Sequence, residues 1–348
     1  MDTLEKEILP GIFIITQKGR WGVVRPAVNL YFIAGPDGLL FDAGYGNRSS
    51  VRMVTRGIER VVSRRTGRGE PCVLTRVLPS HAHPDHFAGL KKIRRSTGAR
   101  VLLTETMAGI ISSRSAYRRS YRFSASRYYR EKRPMRQKLI DALVNPLISF
   151  LYELVFGTAF ISNPDEIVPD SGSLTVNGEQ WTIVPSPGHS ADHIALYSES
   201  RGVLLAGDNV LRRIITWLGP PKSDLAAYFA TLERYRALPR LDVILSAHGS
   251  PVRNPQRRID EIVKWRTKRI ADVRRAVDRS GAEGIGFTGI IDAFYRRKSL
   301  AKRFLAEGWV MLTLDYLVTE GAIERFAVNG RVRFRSTAYA PDKQLHTT

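Results

Sequence analysis

Within one short stretch, His81-Ala82-His83-Pro84-Asp85-His86, the chain offers three imidazoles and a carboxylate. Further along stand His189 in Pro187-Gly188-His189-Ser190, Asp208 in Ala206-Gly207-Asp208-Asn209 and His248 in Ala247-His248-Gly249. Imidazole and carboxylate are good ligands for zinc and other borderline divalent metals. His81 and His83 alternate at the end of an apolar run, so a strand would project both to one side. Pro84 forces a turn that re-aims Asp85 and His86. A single histidine is usually an ordinary core or surface side chain, but scattered histidines rarely fall into such an array. Of the seven in the chain only His346 lies away from it, since His193 is close behind His189. Two metals about 3.5–4 Å apart can share a hydroxide and a carboxylate, and a bound metal lowers the pKa of water from 15.7 to about 7. Hydrolysis by such a centre needs no serine or cysteine nucleophile. Cys72, the only cysteine, sits in an apolar run beside Val73 and Leu74 and reads as a buried strand residue.

In this order, and with Asp42-Ala43-Gly44 upstream, these residues resemble the metallo-beta-lactamase superfamily across roughly residues 10 to 255. The 81–86 run is the specific part, and the later motifs gain weight from their order. The resemblance implies an α/β fold, a four-layer αββα sandwich. It implies that His81, His83 and His189 hold one metal, that Asp85, His86 and His248 hold a second, and that Asp208 bridges the two. Two divalent ions are expected: zinc first, with iron and manganese also compatible with such ligands. Asp85 and Asp208 are the candidates to relay a proton to the leaving group. Asp42 is expected to orient a ligand by a hydrogen bond or to cap the turn at Gly44. His193, in Ser190-Ala191-Asp192-His193, is read as a support behind a ligand, a substrate contact or a structural residue.

Which elements would position these groups? Residues 11–16 and 28–42 read as a meander turned at Gly35-Pro36-Asp37-Gly38. Val51, Val54, Ile58, Val61 and Val62 share one face of a helix over 49–65. A strand over 73–79 feeds the metal loop, a helix begins at Gly89-Leu90, and a strand follows at 101–103. A hairpin over 173–184 turns at Asn177-Gly178. Strands at 194–197, 203–206 and 243–245, with a helix over 223–237, complete the pattern. Alternation of this kind suits packed α/β layers.

Residues from about 106 to 165 interrupt it. Their first half is basic and aromatic, with Arg114, Tyr117, Arg118, Arg119, Tyr121, Arg122, Phe123, Tyr128 and Tyr129 among others. The second half is apolar, with Leu147, Phe150, Leu151, Leu154 and Val155 on one helical face, but Asp141, Pro146 and Glu153 interrupt any membrane span. A lid over the site, an amphipathic membrane-contacting surface and a nucleic-acid site with stacking aromatics are the three readings.

Beyond residue 254 the pattern changes. A basic helix is expected over 255–279. Thr288 would cap a helix from about 289 to 296, a second would run from Ser299 to Gly308, and a third from Trp309 to Gly321. A hairpin over 323–334 with Asn329-Gly330 at its tip completes a winged-helix-like domain over 255–348, after a hydrolase domain over 1–254. Arg331, Arg333 and Arg335 flank the tip. With Trp265-Arg266-Thr267-Lys268-Arg269, this tail narrows the resemblance to the lactamase-beta-like and glyoxalase II-like branch. That branch includes a mitochondrial single-strand ribonuclease, and fungal thioesterases that release polyketides from carrier proteins share its core.

Composition bounds the rest. The 348 residues are 43% hydrophobic, enough for a sizeable core. A single cysteine allows no internal disulfide and suits a reducing cytoplasm. Residues 1–7 are acidic and do not read as a secretory signal. Lys+Arg total 54 against 33 Asp+Glu, a net charge of +21. Such a surface favours anionic partners: coenzyme A, RNA, an acidic carrier protein or an acidic membrane surface. Arginine-rich coding in a GC-rich genome would give the same imbalance. The oligomeric state leaves no signal. The expected activity is metal-dependent hydrolysis by a dinuclear-metal-bound hydroxide, on a thioester or ester of a small-molecule or carrier-bound acyl substrate. The alternatives are a ribonuclease or phosphodiesterase acting on single-stranded RNA, and a non-catalytic membrane or nucleic-acid adaptor that keeps the metal for folding.

Overall fold

The computed structural model describes residues 5–19, 25–121, 153–296 and 300–339. Arg122, Phe123, Tyr128 and Tyr129 of the insertion, its Leu147, Phe150 and Leu151, and also Ser299 and His346, lie outside the described residues.

The first sheet has seven strands in chain order: β1 (Glu5–Leu9), β2 (Ile12–Gln17), β3 (Val28–Ile33), β4 (Gly38–Phe41), β5 (Leu74–Leu78), β6 (Arg100–Thr104) and β7 (Glu166–Val168). From β4 to β7 the strands are parallel. The second sheet comprises β8 (Gly172–Val176), β9 (Glu179–Pro185), β10 (Ile194–Ser198), β11 (Val203–Gly207) and β12 (Val243–Ser246), in the order β12-β11-β10-β9-β8. β10, β11 and β12 are buried on both faces, and their period of two sorts side chains between two cores. Leu196, Leu205 and Leu245 join the core shared with the first sheet. Ala195, Tyr197, Leu204, Ala206 and Ile244 face the core beneath the helices α6 (Leu225–Arg236) and α7 (Pro255–Asp278).

On the first sheet, α1 (Arg48–Thr66) contributes Val51, Val54, Ile58 and Val61, as its apolar face predicts. Asn47 caps it by accepting from the Ser50 N–H at 3.0 Å. The short α2 (Pro84–Phe87) and then α3 (Leu90–Thr97) follow β5. The edge strand β1 was not anticipated. Its sequence is charged because its pairing is one-sided: Glu5 is buried under Arg60 and Arg64 of α1. The insertion starts as α4 (Glu105–Ile111) and α5 (Arg114–Ser120).

The tail comprises α7, β13 (Ile285–Gly286), α8 (Phe287–Tyr295), α9 (Leu300–Thr319), β14 (Ile323–Val328) and β15 (Arg331–Ser336). The expected hairpin gains a third strand, in the order β13-β15-β14. The expected break at Gly308 is absent, because α9 runs straight through it. A glycine inside a helix costs only about 1 kcal/mol, and this one has a packing reason. A Cβ there would lie 3.0 Å from Trp217 Cζ2 and 3.3 Å from Gly219 Cα. Gly321, with φ +69°, does end the helix. α7 spans two cores: Ile259 and Ile262 pack under the second sheet, while Val273 and Val277 pack against α8 and α9. Among the described residues no helix is long and apolar enough to cross a membrane.

Candidate metal centre

The candidate ligands gather beyond the carboxyl ends of strands from both sheets. The 81–86 run follows β5, His189 follows β9, Asp208 directly follows β11 and His248 follows β12. Such ends are where α/β sheets place their ligand sites. All seven expected donors meet there. Donor atoms of His81, His83, His189 and Asp208 lie within 4.8 Å of one another, as do those of Asp85, His86 and His248. Asp208 faces both sets. Its Oδ2 is 3.4 Å from His189 Nε2, while its Oδ1 is 3.5 Å from His86 Nε2 and 3.3 Å from His248 Nε2. Asp85 lies beside the second set only, with Oδ1 3.7 Å from His86 Nε2 and Oδ2 3.5 Å from His248 Nε2.

Does this donor set suit divalent cations? His81 Nε2 is 2.8 Å from His83 Nδ1, which is 2.9 Å from His189 Nε2. His189 gives its Nδ1 proton to the Trp217 carbonyl at 3.0 Å, so its Nε2 presents a lone pair. One shared proton cannot satisfy three converging nitrogens, but a cation between them can. His86 Nε2 and Asp208 Oδ1 are buried without a hydrogen-bond partner. Buried polar atoms are seldom left so, and both point into the gap between the sets. The donors therefore fit a pair of metal ions.

The electrostatics of the two sets differ. Burial, and then the neighbouring His189, lower the His83 pKa to about 3, and burial also depresses His81 and His189. These imidazoles stay neutral and ready to bind. In the second set burial is outweighed by the carboxylates. His86 is raised well above its usual value by Asp42, Asp208 and Asp85, and His248 to about 10 by Asp208 and Asp85. Asp85, despite burial, is lowered to about 2 by His86 and His248. A cation entering the second set must displace protons.

The sequence profile of the metallo-beta-lactamase superfamily matches residues 24–248. The chain belongs to the metallo-beta-lactamase superfamily. A probable metallo-hydrolase of Bacillus subtilis, YqjP, is 24% identical over 89% of this chain and 93% of its own length. The beta-lactamase-like protein 2 homolog of Caenorhabditis elegans is 26% identical, and the match covers 45% of this chain and about half, 51%, of that protein. The atrochrysone carboxyl ACP thioesterase AgnL7 of Paecilomyces divaricatus is 30% identical over 32% of this chain and 34% of its own length. A crystal structure of a beta-lactamase domain protein from Burkholderia ambifaria superposes with a TM-score of 0.73 at 21% identity, over 95% of this chain and 93% of that one. It shares the fold.

In this metallo-beta-lactamase-fold hydrolase, a layer of buried groups aims the donors. Asp42 accepts from the Ser80 N–H at 2.7 Å and meets His86 Nδ1 at 2.9 Å, which turns His86 Nε2 toward the gap. Its contacts are thus to the loop and ring of a candidate donor. His193 is buried. It accepts from the Asp208 N–H at 3.2 Å through Nε2, and its Nδ1 meets Ser186 Oγ at 2.9 Å. With burial holding its pKa far down, it is a neutral support for the Asp208 backbone. His248 Nδ1 donates to Ala27 O at 2.6 Å, and its loop is held by Asn29 and Tyr31 of β3 through Ser246 O.

Some contributors were not singled out from the sequence. Asp192 accepts from the Ala82 N–H at 2.6 Å and from Ser190 Oγ, tying the His189 loop to the 81–86 run. The closely spaced Ser190 and Asp192 were the available signal. Tyr121, at the end of α5, has its ring 6.3 Å from that of His83. Lys222 Nζ lies 4.9 Å from the centre of the Tyr121 ring. Burial lowers its pKa, the Asp192 carboxylate offsetting part of that, and among the described residues its ammonium makes no direct hydrogen bond or ion pair. His83, Asp85 and His248 are only partly buried, so the centre opens on their side.

Proposed function

We propose that this hydrolase cleaves a thioester or ester of an anionic acyl substrate, such as an acyl-coenzyme A or a carrier-bound acyl group. The observation that carries the reading is Lys222, a half-buried cation in no direct ion pair among the described residues, its ammonium over the ring of Tyr121, which lies beside His83. An anionic substrate group would satisfy it. The acyl-carrier thioesterase among the relatives supports the same chemistry. His81, His83, His189, Asp85, His86 and His248 would hold two metals with Asp208 between them, zinc being the first expectation. Bound divalent metals supply Lewis acidity and a water of lowered pKa. The chain's own part is to orient and to move a proton. Lys222 holds the anionic portion, and Tyr121 walls the opening. Asp85 faces only the second set and is the group assigned to carry a proton to the leaving atom, while Asp208 is committed to both sets. The buried free thiol of Cys72 supports a cytoplasmic setting.

The basic helix that a ribonuclease would need for an RNA track is partly neutralised on its own surface. In α7, Arg257 and Arg258 pair with Glu261, Arg275 with Asp272 and Arg274 with Asp278. In the β14–β15 hairpin, Arg335 pairs with Glu324 and Arg333 donates to Gly284 O. These contacts favour the acyl reading over the nucleic-acid one. The test is a screen of zinc-loaded protein on acyl-coenzyme A, glutathione thioester, lactone and single-stranded RNA. Turnover of an anionic thioester or ester, abolished by His83→Ala, is expected. Cleavage of RNA alone, lost in the same variant, would replace this reading.

A further inference from the structure

Arg266 of α7 is an unusual residue in this fold. It is 4% exposed, yet no carboxylate lies within ion-pair distance among the described residues. Burying a cation without a counterion is costly and calls for compensation. Its Nε has no partner, its guanidinium lies over the Tyr228 ring at 5.5 Å, and Nη2 donates to the Thr216 carbonyl. That carbonyl belongs to a short segment with two other tasks. The Thr216 hydroxyl donates to Asp208 O, and it also reaches Asn209 O at 3.3 Å. The next carbonyl, of Trp217, accepts from His189 Nδ1. Tyr228, beneath the guanidinium, donates to Asn209 O at 2.6 Å. Arg258, two turns earlier on α7, holds the start of the same loop through Leu211 O at 2.7 Å and Ile214 O at 2.8 Å.

We infer that Arg266 is a positioning residue for the metal centre: from α7 it fixes the Thr216–Trp217 segment, which aims Asp208 through the Thr216 hydroxyl and His189 through the Trp217 carbonyl. The inference rests on the reading that these side chains bind metal. It makes α7 part of the machinery, although none of its residues is a candidate ligand. A donor aimed through a single peptide segment feels any shift of that segment, and losing an outer hydrogen bond to a ligand typically weakens metal affinity 10- to 100-fold. Only an arginine combines the reach, the donor to Thr216 and a flat face for Tyr228.

The experiment is titration of the metal-free full chain with cobalt(II), read by visible absorption, and with zinc against a chromophoric chelator. Arg266→Met keeps apolar bulk and removes the donor. Thr216→Val removes only the hydroxyl bonds. Each is expected to weaken the tighter-bound or the second ion by about 10- to 100-fold and to change the cobalt spectrum, with far-ultraviolet circular dichroism unchanged. The double variant should lose little more than the worse single one, because both act through one segment. Arg266→Lys should recover part of the loss. If Arg266→Met melts at a lower temperature but binds both ions with wild-type affinity and spectrum, the inference is overturned and the residue serves stability alone. Should Arg266→Met fail to fold, wild-type binding by Thr216→Val overturns it equally. A wild-type chain that binds neither metal would instead remove the metal reading on which the inference stands.

Discussion

Asp42 has φ +70°, a conformation that costs a non-glycine residue of order 1–3 kcal/mol. The strain has a use, since both carboxylate oxygens are engaged, one by the Ser80 N–H and one by His86. Asp42→Ala should therefore lower metal affinity by roughly 10- to 100-fold in a chelator competition, and an unchanged affinity would deny Asp42 its orienting role. At the opening, Lys222→Ala should raise KM for a negatively charged thioester at least tenfold, about 1.4 kcal/mol, and leave KM for an uncharged ester near its original value. Equal effects on both esters would show that Lys222 does not read charge. The donors themselves could be seen in the sequence because ligand chemistry admits few residue types and the 81–86 run compresses four of them. Lys222 could not, and Tyr121 stood out only as one aromatic in the basic run of the insertion. Their meeting depends on how α5 and the loop after Trp217 pack. Asp192 acts on the backbone N–H of Ala82, a partner that only folding brings near.

At the scale of elements, glycine and charge were the ambiguous letters. Gly308 reads as a stop, yet it is the point where α9 approaches Trp217 and Gly219. Gly308→Val overpacks that contact and should cost roughly 1–3 kcal/mol in denaturant unfolding, with the helix intact by circular dichroism. No loss would mean that the loop yields freely. β1 escaped notice because Glu5 and Glu7 mask a strand whose buried acid is met by α1. The Glu5 carboxyl is lowered chiefly by its hydrogen bonds to Arg60, against some desolvation. Its folded pKa is thus below its unfolded one. The unfolded chain binds the extra proton, so stability from this pair is present above the unfolded value near 4.3 and is lost as pH falls through the folded one. Glu5→Gln should be less stable than wild type at pH 7 and should show a shallower loss of stability on acidification. Parallel acid limbs would contradict this. Hairpin tips were easier to read: Asn177-Gly178 and Asn329-Gly330 both take positive φ, as their residue types require.

Across the whole molecule, the two sheets bring the ends of four strands to one cluster whose donors crowd one another without a cation. Metal that binds the folded chain and not the unfolded one stabilises by mass action, about 2.7 kcal/mol at a hundredfold excess over Kd. Removal by chelator should lower Tm, and added zinc should restore it. A Tm indifferent to both would argue against metal at this site. Alternating strands and helices pointed only to packed α/β layers, and the four-layer sandwich came from the family resemblance that the ordered ligand motifs carry. The reach of α7 into two cores was not, since its basic composition gives no hint that Ile259 and Ile262 belong beneath the second sheet. The most direct test of the central claim is anomalous diffraction at the zinc edge from crystals of the zinc-loaded chain. Two peaks are predicted, one among His81, His83 and His189, the other among Asp85, His86 and His248, with Asp208 between them. A single peak elsewhere, or none within this cluster, would contradict it.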